Sequence, residues 1–300
     1  MYIHRWSFFI LLAALLASCN GDDNAQGELE MYGSGEYNFT SYPPFAQKPV
    51  KCFYHIPENS GVSTPVFMAV HGAGRDGRAL RNALVNSANQ KNFILLVPQF
   101  SSEYFPGSNQ FNLANIFSNG ENPAETSTQP REDWTFQVFD PLFQDFKTRS
   151  GSAEARYDIF GHSAGAQLVH RFLQFEPDAG FNRLVTSAAG WYMLPDPEIQ
   201  FPYGQALSPA ADVEPQFYFE RTVYVVVGES DTDPDSFNLR HTPEADAQGL
   251  NRVDRAQYFH ERSSFIADSL SLNFLWQYHE APETGHNSSA MADFAAGLLY

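Results

Sequence analysis

Apolar and polar positions along the chain fall into a repeating rhythm. "VKCFYHIP" (Val50–Pro57), "PVFMAVHG" (Pro65–Gly72) and "NFILLVPQ" (Asn92–Gln99) are short apolar runs with the length of strands. Between the second and third, Arg78 to Gln90 carries no breaker and reads as a helix. Fully apolar strands alternating with helices predict an α/β fold with a parallel sheet covered on both faces, because such strands bury both sides. The rhythm resumes at Trp134 to Arg149, where Phe139, Leu142, Phe143 and Phe146 share one helical side, although Pro141 lies inside the run. "RYDIF" is then a strand, Ala164 to Phe175 a helix, Arg183 to Trp191 a strand with its exit, and Thr222 to Asp233 a strand running into acidic residues. Arg252 to Leu270 reads as a helix, "SLNFLWQYHE" as the last strand and "APETGHN" as a loop. "SSAMADFAAGLLY" reads as a terminal helix capped by Ser288 or Ser289.

Two stretches lose the period. Residues 100–133 are polar with scattered aromatics, and residues 192–216 are rich in proline. Stretches this long without pattern inside a compact domain are usually functional loops or lids. They are expected as insertions beside a site, with Tyr104, Phe105 and Phe111 in a lid. Trp191, Tyr192 and Met193 lie at the start of the second insertion, where pocket lining and core packing account for them equally well.

The N-terminus has its own pattern. "MYIHRWSFFILLAALLASC" places Arg5 before an apolar run from Phe8 to Ala17, with small residues preceding Cys19. An apolar length near ten is too short to span a bilayer, so the segment reads as a signal peptide. "LASC" resembles the bacterial lipobox, which implies that residues 1–18 are removed and Cys19 is diacylated on sulfur. Acyl chains hold a protein at a membrane by burying their methylenes. Residues 19–45, rich in Gly, Asn, Asp and Pro, are then expected as a flexible tether, with the folded domain at 46–300 in the bacterial cell envelope, periplasmic or surface-exposed.

Composition narrows the partners. The chain has 300 residues, enough for one large domain, and is 43% hydrophobic and 18% charged, an ordinary globular profile. Its net charge of −17 argues against nucleic acid as a partner and against electrostatic attraction to anionic lipid. Apart from Cys19 there is Cys52 alone, so disulfides are not expected, and Cys52 reads as a small buried hydrophobe.

The candidate chemistry starts at "YDIFGHSAGAQLVHRF" (Tyr157–Phe172). An apolar strand stops at Gly161, Ser163 follows between Gly161 and Gly165, and a helical pattern begins. G-x-S-x-G occurs by chance roughly 0.1 times in such a chain, and strand-before, helix-after context strengthens it. A serine hydroxyl needs a base to become a nucleophile. Downstream, "VYVVVGESDTD" offers Asp231 and Asp233, and "GHN" offers His286, each in the loop after an apolar strand. His279 competes as the base but falls in the strand itself. An oxyanion hole needs two backbone N–H donors. Ala164 follows the nucleophile, and "VHGAGRDG" (Val70–Gly77) offers Ala73 or Gly74. His71 is expected to hold that loop by hydrogen bonds. His55, His162, His170, His241 and His260 join no constellation. Asp231, Asp233 and Asp235 have the D-x-D-x-D spacing of a calcium loop, but Ser236 and Thr242 stand where its glycine and distal glutamate belong. No metal and no cofactor is expected.

These motifs together resemble those of α/β-hydrolase-fold serine esterases. "HGAG" is similar to that family's oxyanion loop, "GHSAG" to its nucleophile elbow, "GESD" to its acid turn and "GH" to its histidine loop. The overall layout resembles polyhydroxybutyrate-depolymerase-like and feruloyl-esterase-like enzymes. The resemblance implies Ser163 as nucleophile, His286 as base, Asp231 as orienting acid with Asp233 in reserve, and Ala73 and Ala164 as oxyanion donors. It implies cleavage of a carboxylic ester in a small molecule or polymer. An amidase or peptidase on the same triad, and a silent polymer- or glycan-binding lipoprotein, are the alternatives.

Overall fold

The computed structural model describes Leu29 and residues 32–300. The expected signal peptide, Cys19 and the first part of the expected tether lie outside the described residues. Eight strands form one sheet: β1 (Gly33–Phe39), β2 (Val50–Ile56), β3 (Val66–Val70), β4 (Ile94–Gln99), β5 (Tyr157–His162), β6 (Phe181–Ser187), β7 (Thr222–Gly228) and β8 (Trp276–Ala281). Their spatial order is β1-β2-β4-β3-β5-β6-β7-β8. β1, β2 and β4 pair antiparallel, and every pair from β4·β3 to β7·β8 is parallel.

Alternation along the strands divides the core in two. Phe67 and Ala69 of β3, Phe160 of β5 and Val226 of β7 face one side, where they meet α1 (Gly77–Lys91) and α7 (Ser288–Leu299). Met68, Val70, Ile159, Val225 and Val227 face the other. That side is covered by α2 (Phe139–Ser150), α3 (Ala164–Phe175) and α6 (Arg252–Ser269). Two single turns, α4 (Gln216–Phe219) and α5 (Pro243–Asp246), complete the helices. Apolar residues on both faces of each central strand thus produce the predicted two-sided cover.

Four expectations need correction. β1 occupies the region expected as tether, and Phe45 behind it is buried. α2 begins at Phe139 rather than Trp134, so Pro141 falls in its first turn, where a missing N–H costs nothing. The strand β8 begins at Trp276 rather than Ser271. The cap of α7 is Asn287, whose side chain accepts from the Ala290 N–H, rather than Ser288 or Ser289.

The first insertion is also not a free lid. Phe105, Phe111, Leu113, Ile116 and Phe117 are all buried in the main core, and Tyr104 packs partly against it. Trp191, Tyr192 and Met193 are core residues too, with Tyr192 stacked on Phe259 at 4.4 Å. Arg171 of α3 explains how both insertions are pinned. It is wholly buried and donates to the carbonyls of Asn112 (3.1 Å), Gln167 (2.9 Å) and Pro202 (3.1 Å).

Candidate active site

Ser163 stands between the end of β5 and the start of α3 with φ 56° and ψ −115°. A non-glycine residue there carries about 1–3 kcal/mol of strain, which the surroundings must offset. The Ser163 N–H donates to the Ser187 carbonyl at 2.8 Å, and its own carbonyl accepts from the Gln167 N–H at 3.1 Å. The flanking glycines are required by close approach. A Cβ on Gly165 would stand 2.5 Å from the His71 carbonyl oxygen, and one on Gly161 would collide with the Gly165 carbonyl. Only residues without side chains let strand, helix and oxyanion loop pass at this distance.

His286 reaches Ser163 from the loop after β8. Its Nε2 lies 3.1 Å from Ser163 Oγ, and its Nδ1 lies 2.7 Å from Asp231 Oδ2. A carboxylate only accepts, so Nδ1 carries the proton and Nε2 is free to accept from the serine hydroxyl. The acid turn and the histidine loop are held against each other. The Ser230 N–H donates to the Thr284 carbonyl at 2.9 Å, and a Cβ on Gly228 would lie 2.7 Å from the Gly285 carbonyl. Asp231 is buried and accepts from His286 Nδ1, whereas Asp233 is exposed. His279 bonds Gln277 within β8 and does not approach the serine.

The loop after β3 lies against Ser163: a Cβ on Gly72 would touch Ser163 Cβ at 3.5 Å. Ala164 opens α3, where backbone N–H groups have no helical acceptor. Neither the Ala73 nor the Ala164 N–H has a hydrogen-bond partner among the described residues. His71 pins this loop as the sequence suggests. Its Nδ1–H donates to Gly72 O at 2.9 Å and its Nε2 accepts from the Phe100 N–H at 3.0 Å. Burial pulls its pKa down to about 4, which keeps it neutral and able to accept. Arg75 pins the far end, donating to Phe100 O (2.6 Å) and Gly107 O (3.0 Å) over the Phe111 ring.

Two neighbours of the triad escape sequence reasoning. Arg252, at the start of α6, is buried and sits 3.3 Å from the second oxygen of Asp231, while also donating to Ser236 Oγ at 2.7 Å. His162 is buried with its ring 4.6 Å from that of His286 and its Nδ1 3.2 Å from Ser187 Oγ. Burial, reinforced by His286 and Arg252, drives its pKa well below the ordinary histidine value. The single available signal for His162 was its place inside the elbow. Arg252 had none, because its contact with Asp231 spans a turn of unpredictable path. His170 is held inside the core, bonding Ala166 O and the Met193 N–H.

No protein-family model and no curated protein matches the chain. Solved structures do. Poly(aspartic acid) hydrolase-1 from Sphingomonas sp. KT-1 is 33% identical, with 90% of this chain and 99% of that one covered and a TM-score of 0.82. A poly(3-hydroxybutyrate) depolymerase from Bordetella parapertussis is 26% identical over 90% of this chain and 89% of its own, also with a TM-score of 0.82. A fluorophosphonate-binding serine hydrolase from Staphylococcus aureus, 12% identical with 90% and 97% covered and a TM-score of 0.52, shares the fold. With the serine elbow in place and a third of its residues shared with a relative aligned over almost its whole length, the chain belongs to the α/β-hydrolase-fold serine hydrolases, in the family of poly(aspartic acid) hydrolase-1.

Proposed function

We propose that the protein hydrolyses carboxylic esters through a Ser163–His286–Asp231 triad and an acyl-enzyme, without a cofactor. The observation that carries this reading is the continuous hydrogen-bonded chain from Ser163 Oγ through His286 to Asp231. Ser163 Oγ attacks the ester carbonyl while His286 Nε2 takes its proton. The N–H groups of Ala73 and Ala164 bind the developing oxyanion, each donor contributing about 3 kcal/mol. His286 then returns the proton to the leaving alcohol. Water, activated by the same nitrogen, releases the acid from Ser163.

Poly(aspartic acid) is joined by amide bonds, so its hydrolase favours a second reading, amide cleavage on the same residues. Poly(3-hydroxybutyrate) is joined by ester bonds and favours the first. Esters have the better leaving group, so a triad competent for amides also opens matched esters. Two experiments test these readings. A fluorophosphonate probe is expected to label the wild type and not Ser163→Ala; labelling of both, or of neither, overturns the nucleophile. Matched butyryl ester and amide substrates are expected to show ester turnover with the amide left intact; measurable amide turnover that is lost in Ser163→Ala establishes the second reading.

We further propose that Cys19 carries the lipid anchor and places the enzyme in the bacterial cell envelope, on the strength of "LASC". Palmitate incorporation is expected in the wild type and lost in Cys19→Ala. Equal incorporation in both removes the anchor.

A further inference from the structure

Both oxygens of Asp231 are engaged. Oδ2 lies 2.7 Å from His286 Nδ1, and Oδ1 lies 3.3 Å from Arg252 Nη1. Both members of this ion pair are almost wholly buried, Arg252 at 2% and Asp231 at 3% side-chain exposure. Arg252 also grips the acid turn further along. Its Nη1 donates to Ser236 Oγ at 2.7 Å and its Nη2 to the Phe237 carbonyl at 3.4 Å. One guanidinium thus straps the turn that carries the triad acid, and the carboxylate stands between that cation and the base. Stability does not account for the placement. Arg252 is the first residue of α6, where the helix dipole disfavours a positive charge. Its Nε–H is buried without a partner among the described residues, which costs free energy. A buried ion pair is also often no better for folding than apolar residues of the same size.

The reaction gives the pair a use. When Ser163 loses its proton, His286 becomes a cation facing Asp231. The charge of Arg252 opposes that cation and favours the ionised form of Asp231. The chain as a whole carries a net charge of −17, a field that favours protonated histidine, so Arg252 acts against the prevailing sign. No other group facing the triad does the same. His162, stacked on His286 at 4.6 Å, is kept neutral by burial and then by His286 and Arg252. The Tyr192 hydroxyl is kept protonated by burial and meets the Ala189 N–H. Further along α6, Arg255 is paired with Asp246 at 3.0 Å, and Asp254 is exposed. On the touching turns, Glu229, Asp233, Asp235 and Glu283 are exposed, where water and salt screen them. Beside the oxyanion loop, Arg75 and Asp76 border His162 with opposite charges.

We propose that Arg252 is a positioning residue of the triad: it fixes the Asp231 carboxylate against His286 and sets the lower pH limit of catalysis. The proposal rests on the reading of Ser163, His286 and Asp231 as an ester-hydrolysing triad. Without the cation, the carboxylate is free to turn and to take up a proton, and its uncompensated charge holds a proton on the base. Each of these changes cuts activity on the acid side first.

The test is the pH profile of kcat/KM for p-nitrophenyl butyrate, whose acid limb reports the essential base of the free enzyme. Far-UV circular dichroism checks the fold of each variant. Arg252→Gln removes the charge and is expected to raise the midpoint of the acid limb by about one pH unit. The same variant is expected to lower kcat by about tenfold while KM stays within about twofold, the split of an interaction that matters in the transition state. Arg252→Lys keeps the charge and is expected to leave the midpoint within about 0.3 pH unit of the wild type. Should Arg252→Gln fail to fold, Ser236→Asp keeps Arg252 in place and answers its charge with a carboxylate; the midpoint is then expected to rise by about half a pH unit. An unmoved limb in the folded Gln variant, or in Ser236→Asp where the Gln variant does not fold, overturns the role of Arg252. A limb moved equally by Gln and Lys overturns it too, because the shift then follows shape and not charge. No turnover by the wild type at any pH overturns the ester reading and this role with it, whereas good turnover with an unmoved limb overturns this role alone.

Discussion

Among the described residues, two histidines each bridge a serine and a second side chain. At one edge of the sheet, Ser34 Oγ lies 2.8 Å from His55 Nδ1, and His55 Nε2 lies 2.8 Å from Asn89 Oδ1. At the centre, Ser163, His286 and Asp231 are joined at 3.1 and 2.7 Å. By distance alone the peripheral chain is the tighter. It even borders a cavity of about 470 Å³. What differs is everything around the side chains. Ser34 and His55 face each other across the regular antiparallel ladder of β1 and β2, and an amide rather than a carboxylate backs the imidazole. Ser163 sits on a strained turn at a helix start, with unpartnered N–H groups nearby and a buried carboxylate behind its histidine. Hydrogen-bond length does not make a nucleophile. Charge behind the base and donors in front of the substrate do.

The sharpest way to break the comparison is to delete each serine in turn. Ser163→Ala is expected to lower ester kcat by about 10⁴-fold or more with unchanged far-UV circular dichroism, whereas Ser34→Ala leaves kcat within about twofold. Equal losses from both would erase the distinction. Next come the acids. Asp231→Asn makes the central chain resemble the peripheral one, and a fall of about 10³–10⁴-fold in kcat is expected, against less than about twofold for Asp233→Asn. Steady-state kinetics on both variants decides which carboxylate orients His286.

A smaller effect concerns the cation behind the acid. Arg252 and Asp231 are both almost wholly buried, so Arg252→Met leaves an uncompensated charge and is expected to cost about 3–5 kcal/mol in urea unfolding. Arg240, paired with the part-exposed Glu121 and stacked on Trp191, is expected to cost about 1 kcal/mol when changed to Met. The smallest effect is one of pH. His71 is held neutral in the fold, with its pKa lowered to about 4 from 6.5. The unfolded chain therefore binds the extra proton first. The stabilisation is full above pH 6.5 and is lost as pH falls towards about 4, by up to about 3 kcal/mol. Urea midpoints measured across that interval are expected to decline less in His71→Gln than in the wild type.

The sequence made the centre legible and left the periphery obscure, for physical reasons. An elbow demands contiguity: strand end, small residue, serine and helix must follow one another, so "GHSAG" carries its own context. The acid and base each had to lie just beyond an apolar strand, which limited them to a few positions. β1 was missed because an edge strand has one neighbour and little to bury. "GSGEYNF" alternates half-buried and exposed residues, and its glycines mimic a linker. The first insertion reads as a lid because its aromatics are spaced by tertiary contacts rather than by a period; Phe105, Phe111 and Phe117 pack on partners brought by other segments. Arg171, His162 and Arg252 belong to the same class. Their decisive partners come from distant segments, nothing local marks a buried cation, and His162 is marked by its place inside the elbow alone.

The triad is assembled from three turns at the ends of β5, β7 and β8, its serine and base separated by 123 residues. This spacing has a consequence for the chain as it is made. Synthesis delivers the nucleophile early and its base late. Until β8 docks beside β7 at the edge of the sheet, Ser163 is an ordinary alcohol without a proton acceptor. In a growing chain the Ser163–His286 contact is therefore absent, and it forms only once the sheet is complete.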